Sequence, residues 1–207
     1  MDFIKKTYNR LCNERSDINE HLPNLFKYAK ECDSIIECGV RYVVSSWAFL
    51  YGLSNNHNNK QKKQLLLNDI MPCDIRELLN AGSHTDVEIN YEWINDLEMN
   101  LTQNYDMIFI DTWHVYGHLK RELNKFSPYI NKYIVMHDTT IDEFQGETIR
   151  MYRNAHEESQ TSGIPIEEIL CGSGKAINEF LQENNNWVLH EKLTYNNGLT
   201  VLRRIDK

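Results

Sequence analysis

The sequence predicts an α/β fold: a mostly parallel, seven-stranded sheet with helices on both faces and an antiparallel hairpin at its C-terminal end. Three observations carry this. Short apolar runs that end in glycine or an acid alternate with stretches of helical period. The run Met107-Ile108-Phe109-Ile110, set between Asp106 and Asp111, has the continuous apolar character of a strand buried on both faces. Near the C-terminus, Asn196-Asn197-Gly198 joins two β-type runs, and an Asn-Gly turn between such runs is a strong hairpin signal.

Taken in order, the first helical stretch is expected from Ile18 to Lys30, capped by Ser16 or Asp17, with Leu22, Leu25, Phe26 and Ala29 on its apolar face. Residues 1–33 are therefore a helical N-terminal segment and 34–207 the core of one domain. Ser34 to Gly39 reads as a short buried strand that breaks at glycine, and a helix follows from about Ser45 to Leu53. Ser54 to Gln64 reads as an exposed, Asn- and Lys-rich connection. Further strands are expected at Gln64–Ile70, Thr85–Asn90, Asp106–Asp111 and Lys132–Asp138, with an amphipathic helix at Tyr116–Phe126. Glu143 to Pro165, with Gly146, Gly163 and many charges, reads as a lid or an acceptor-binding insertion. A helix near Gly174–Glu183 precedes the hairpin strands Trp187–Leu193 and Leu199–Arg204. Alternating strands and helices give a parallel sheet, and ligands in such sheets bind outside the carboxyl ends of the strands.

Composition narrows the function. The chain has 207 residues, 41% hydrophobic and 25% charged, enough to bury a core without a disulfide or a structural metal. A formal charge of −8 argues against nucleic-acid binding, which needs a basic surface. The basic clusters Lys60-Gln61-Lys62-Lys63 and Arg203-Arg204 are short and read as solvated faces. Cys12, Cys32, Cys38, Cys73 and Cys171 form no CxxC pair and are odd in number, which suits a reducing, cytoplasmic compartment. MDFIKKTYNR lacks the apolar core of a signal peptide, and no run is long enough for a membrane span.

The chemistry gathers at predicted strand ends. Glu37-Cys38-Gly39-Val40-Arg41-Tyr42-Val43-Val44-Ser45 places an acid and a glycine before hydroxyls that open a helix. Glycine permits close backbone approach, and a helix N-terminus favours an anion. The segment also fits a plain strand-to-helix turn. Asp69, ending the second strand, suits the two hydroxyls of a ribose, or a helix cap. Asp111-Thr112-Trp113-His114 delivers an acid, an aromatic ring to cover an adenine, and an imidazole able to accept a proton. His114 equally suits a capping or core position, and His118, one turn later, reads as surface-exposed. The fifth strand brings His137-Asp138-Thr139 to the same edge. Two acids at adjacent strand ends repel unless a cation lies between them, which points to Mg²⁺ or, with His137 as a ligand, Mn²⁺.

From Ile35 to Arg204 the chain resembles the class I S-adenosylmethionine-dependent O-methyltransferases, particularly cephalosporin hydroxylase-like proteins and catechol-type enzymes. The resemblance rests on acid-x-Gly-x-x-x-Gly-x-Ser, with Val43 in place of the second glycine, and on Asp-x-Trp with His114 where catechol-type enzymes have lysine. It rests also on His137-Asp138-Thr139 for Glu-Asp-Thr, and on Leu193-Thr194-Tyr195-Asn196-Asn197-Gly198, a turn facing the active site in that topology. It implies a Rossmann-like fold and a cofactor set of Glu37, Gly39, Arg41, Ser45, Asp69, Thr112 and Trp113. Asp111, His137 and Asp138 would hold a divalent metal, with Thr139 an alternative to His137, and His114 and Asp111 would be catalytic. The implied acceptor is a sugar hydroxyl of a glycan or glycoconjugate, stacked on Trp93, Trp113, Tyr116 or Tyr195. A small phenolic or antibiotic-like acceptor is the alternative. So are a non-catalytic module binding a nucleotide-like ligand and an iron hydroxylase with two histidines and a carboxylate.

Overall fold

In a computed structural model describing residues 1–57 and 62–205, the chain opens with helices α1 (Asp2–Asn13) and α2 (Leu22–Ala29). There follow β1 (Ser34–Cys38), α3 (Val44–Ser54), β2 (Lys63–Asp69), α4 (Arg76–Gly82), β3 (Val87–Trp93), β4 (Tyr105–Ile110), α5 (Tyr116–Phe126) and β5 (Ile130–His137). Three short helices, α6 (Glu147–Arg150), α7 (Ala155–Ser162) and α8 (Ile166–Leu170), lead to α9 (Ser173–Glu183), β6 (Trp187–Leu193) and β7 (Leu199–Arg204). The strands form one sheet in the order β3-β2-β1-β4-β5-β7-β6, parallel except that β7 runs antiparallel to β5 and β6.

Side chains alternate across a strand, so the apolar runs feed two cores. On one face Ile35, Leu65, Leu67, Phe109 and Val135 pack with Leu22 and Leu25 of α2 and Phe49, Leu50 and Leu53 of α3. On the other, Ile36, Ile108, Ile134 and Leu202 pack with Leu119, Leu123 and Phe126 of α5 and Ala176 and Phe180 of α9. All six residues of β4 are buried, which explains why its run carries no polar alternation.

The N-terminal segment departs from expectation. Helix α1 precedes the first helix expected, although Ile4, Tyr8 and Leu11 recur at helical spacing and Ile4, Thr7 and Tyr8 are buried. The helix expected over Ile18–Lys30 is split: Asn19–His21 form a 3₁₀ turn, and α2 begins with Pro23 in its first turn. Neither expected cap serves α2, since the Ser16 hydroxyl accepts from Ile18 N at 3.3 Å and Asp17 pairs with Arg41 at 2.9 Å. Lys63 is no solvated residue but the buried start of β2, its Nζ 2.5 Å from Asp86. Lys60 and Gln61 of the same basic cluster lie outside the described residues. Among the described residues no helix is long and apolar enough to cross a membrane.

Candidate active site

A cavity of ≈ 530 Å³ opens at the carboxyl edge of β1, β2 and β4, in the size range of small-molecule sites. Gly39, Arg41, Asp69, Asp111, Thr112 and Trp113 line it, and Glu147, Arg153, Thr161 and Ser162 close its outer side. A second hollow of ≈ 460 Å³ lies at the opposite edge, by Lys62 and Asp86, remote from these residues.

Backbone geometry builds the inner wall. Gly39 has φ +91°, and a Cβ there would sit 2.0 Å from the Asp111 carbonyl oxygen, so only glycine lets the β1 and β4 ends close on each other. Asp69 shapes the facing loop by accepting from Arg41 N at 2.9 Å and Met71 N at 2.8 Å. Val43, at φ 65°, occupies the left-handed region where the motif has glycine. A β-branched residue is strained there, by roughly 1–2 kcal/mol, and burial of its side chain in the core beneath α3 offsets the strain.

Glu37 and Ser45 do not reach the cavity wall. Glu37 is fully buried within β1 and accepts a hydrogen bond from the Ser45 hydroxyl. Burial pushes its pKa up to about 8, from an ordinary value of 4.5. Its contribution to stability is thus fully present below about pH 4.5 and is lost as pH rises toward 8, because the unfolded chain releases this proton first. Glu37→Gln is expected to remove that slope, so its melting temperature relative to the parent should rise between about pH 5 and 8. Parallel pH slopes for the two proteins would refute the assignment.

Beside the cavity, the ends of β4 and β5 bring two acids and two imidazoles together. His114 Nε2 lies 3.1 Å from Asp111 Oδ1, and its Nδ1 lies 3.3 Å from Asp138 Oδ2, 3.4 Å from Glu147 Oε2 and 3.8 Å from Asp142 Oδ2. His137 Nδ1 lies 3.2 Å from Asp111 Oδ1 and 3.3 Å from Asp138 Oδ1. Burial opposes charge on both rings, but the carboxylates prevail: His137 is raised to about 8 and His114 well above its ordinary 6.5. Burial likewise opposes ionisation of Glu147, yet His114 and Arg153 hold it down to about 2. Arg150 makes a two-point contact with buried Asp142, both at 2.7 Å, and leaves Asp138 at 3.7 Å. Asp138 Oδ1 and His114 Nδ1 are buried without a hydrogen-bond partner.

These orphaned atoms bear on the metal. Donor atoms of Asp111, His114 and Asp138 lie within 4.8 Å of one another, a spacing and ligand chemistry that fit a divalent cation. His137 is equally close to both acids. Thr139 is turned away, its hydroxyl accepting from Thr200 at 2.8 Å.

Several site residues give no sequence signal. Asp142, Glu147, Arg150 and Arg153 lie in or beside the segment read only as an insertion, which contributes α6 and α7. Asp96 also lines the cavity. His118 corrects the surface reading: it is buried 3.2 Å from Asp96 and 3.8 Å from Glu122, which accepts from the Thr112 hydroxyl at 2.7 Å. Of the aromatics expected to meet an acceptor, Tyr116 donates instead to Glu179 at 2.7 Å and Tyr195 stacks on His21. Trp93 is largely exposed, and Trp113 lines the cavity.

No protein-family model and no curated protein matches the chain. Solved structures do. The chain is similar to the S-adenosylhomocysteine-bound methyltransferase PaMTH1 of Podospora anserina, with TM-score 0.61 and 15% identity over 100% of this chain and 89% of that one. It is similar to the O-methyltransferase TomG of Streptomyces achromogenes, involved in tomaymycin synthesis and complexed with S-adenosylmethionine, with TM-score 0.57 and 13% identity over 93% and 82% of the two chains. A third is the 1,6-didemethyltoxoflavin-N1-methyltransferase of Burkholderia thailandensis, bound to 1,6-didemethyltoxoflavin and S-adenosylhomocysteine, with TM-score 0.58 and 8% identity over 99% and 86%. With the strand order 3-2-1-4-5-7-6 and the antiparallel seventh strand, these likenesses give the chain the Rossmann-like methyltransferase fold.

Proposed function

We propose that the chain is an S-adenosylmethionine-dependent O-methyltransferase assisted by a divalent cation and acting on a small molecule. The observation that carries the reading is the double placement of Asp111, which lines the ≈ 530 Å³ cavity while its carboxylate belongs to the acid–imidazole cluster. Methyl donor and acceptor sites would meet at that residue. Support for a small acceptor, rather than the glycan implied by the sequence, comes from the structural neighbours: one takes part in tomaymycin synthesis and another holds 1,6-didemethyltoxoflavin.

When bound, the sulfonium cofactor supplies an electrophilic methyl group and the cation lowers the pKa of an acceptor hydroxyl. The chain's own groups do the positioning. Gly39 gives the cofactor close access to the backbone, Asp69 offers its remaining lone pairs to the ribose hydroxyls, and Trp113 covers the adenine. Arg41 and Thr112 complete the inner wall, while Glu37 and Ser45 brace it from behind. Asp111, Asp138 and His137 would hold the cation, and neighbouring His114, its own proton driven off by that charge, would have Nδ1 free to take the acceptor proton. The spacing of Asp111, His114 and Asp138 favours a second assignment, in which His114 is itself a ligand. His114→Ala separates the two: as a base it leaves Mn²⁺ affinity unchanged, and as a ligand it does not. Holding two reactants in attack geometry can supply roughly 7–11 kcal/mol of the barrier reduction.

Thermal unfolding with S-adenosylhomocysteine, in Mn²⁺ and in EDTA, tests the reading. At a hundred times Kd, a ligand bound only to the native state adds about 2.7 kcal/mol, or roughly 5–11 °C in Tm for a chain of this length. A shift of that size, with a separate Mn²⁺ shift, is expected. No shift at saturating S-adenosylhomocysteine removes the cofactor, and full turnover in excess EDTA removes the metal.

A further inference from the structure

His21 belongs to none of the motifs above, yet it is fully buried beside the acid–imidazole cluster. Its Nε2 lies 3.0 Å from the carbonyl oxygens of both Tyr195 and Asn196. The ring stacks on Tyr195, centroids 4.8 Å apart, and meets the His137 ring edge-on at 5.6 Å. A carbonyl oxygen only accepts, so His21 carries a proton on the nitrogen that faces the two carbonyls.

The Asn196 carbonyl is shared. His137 Nε2 lies 3.2 Å from it, and a carbonyl only accepts, so His137 carries a proton on Nε2. That leaves Nδ1 facing Asp111 and Asp138, and in the neutral ring Nδ1 is a lone pair, the form in which imidazole binds a metal. The turn that supplies the carbonyl needs outside support. Asn196, Asn197 and Gly198 have φ 45°, 68° and 99°, three consecutive residues in a region that non-glycine residues rarely adopt. The N-terminal segment provides that support: Asn196 Oδ1 accepts from Glu20 N and its Nδ2 donates to Ser16 O, both at 3.2 Å, and His21 holds the backbone itself.

We infer that His21 is a positioning residue: by fixing the Asn196 carbonyl against His137 Nε2, it aims the His137 Nδ1 lone pair at a divalent cation between Asp111 and Asp138. The inference rests on the metal reading proposed above.

His21→Phe keeps a ring and removes the donor, whereas His21→Gln keeps an N–H. Mn²⁺ affinity by calorimetry and the imidazole-nitrogen modulation of bound Mn²⁺ by electron spin echo are read for the parent and both variants, with crystal structures of the metal-free forms. The Phe variant is expected to lose roughly tenfold or more in Mn²⁺ affinity, the scale for outer partners of a metal-binding histidine, with S-adenosylhomocysteine affinity unchanged. Its imidazole modulation should weaken, its metal-free structure should show His137 off the Asn196 carbonyl, and the Gln variant should restore both signals. A Phe variant with parental Mn²⁺ affinity and modulation, or with the His137–Asn196 bond intact, overturns the inference. So does an imidazole signal that vanishes in His114→Ala, a result that needs no His21 variant. If the parent binds no Mn²⁺, the metal reading fails by itself, and the metal-free structures still decide whether His21 positions His137.

Discussion

Asp111→Asn is expected to lower kcat about a thousandfold while S-adenosylhomocysteine affinity stays within a few-fold of the parent. The substitution keeps the shape of the cavity wall and removes one charge. Asp111 Oδ1 is the atom on which His114 and His137 both converge, at 3.1 and 3.2 Å, and Asp138 faces the same space. Without the charge, a cation at this place loses one of two carboxylates. Metal activation of a hydroxyl is worth several kcal/mol, and about 4 kcal/mol is a thousandfold in rate. Single-turnover kinetics with saturating cofactor, beside calorimetry with Mn²⁺, separate the possibilities. Loss of turnover together with Mn²⁺ binding is the expected pair. A variant that retains both would remove Asp111 from the chemistry and leave the cluster as an ion-pair network that merely holds β4 to β5.

Local signals make the sheet legible, and long-range contacts hide much of the site. Tyr116–Phe126, Trp187–Leu193 and Leu199–Arg204 begin and end where the sequence indicates, because apolar period and turn residues define those segments without help from elsewhere. Strand ends deliver Gly39, Asp69, Asp111 and Asp138 to one edge for the same reason: parallel topology sends every carboxyl end the same way. Helix α1 is open to the same reading of apolar period, since Ile4, Tyr8 and Leu11 recur at helical spacing, yet the expected helix starts only at Ile18. His118 reads as a surface residue because helical spacing says nothing of the short turn Asp96–Glu98, which comes from the connection after β3 and brings Asp96 against its ring. Glu147 reaches the His114 backbone from 33 residues away, and His21 meets the hairpin turn from 174. No spacing rule links such positions. The left-handed backbone of Val43 is a further case, where tertiary packing holds a residue that local preference would exclude.

Gly39→Ala is expected to cost about 3–5 kcal/mol of stability, or roughly 6–20 °C in Tm, and to abolish cofactor binding. Two effects add. Alanine at φ +91° is strained by about 1–2 kcal/mol. Its Cβ would also lie 2.0 Å from the Asp111 carbonyl oxygen and 2.6 Å from the carbonyl carbon, which are backbone atoms and cannot swing aside. The ends of β1 and β4 would have to separate, breaking the 2.9 Å bond from Asp111 N to Cys38 O that seats Asp111 at the cavity. Gly163→Ala supplies the control, because Gly163 has a similar φ of +71° but no atom within 4 Å of the added Cβ. It should therefore show the conformational cost alone, about 1–2 kcal/mol. Thermal unfolding of the two variants, with and without S-adenosylhomocysteine, measures the difference. A large gap, with ligand stabilisation lost only in Gly39→Ala, would tie the cofactor site to the close approach of β1 and β4. Equal losses would mean that the strand ends separate at little cost and that Asp111 is seated by the imidazole cluster instead.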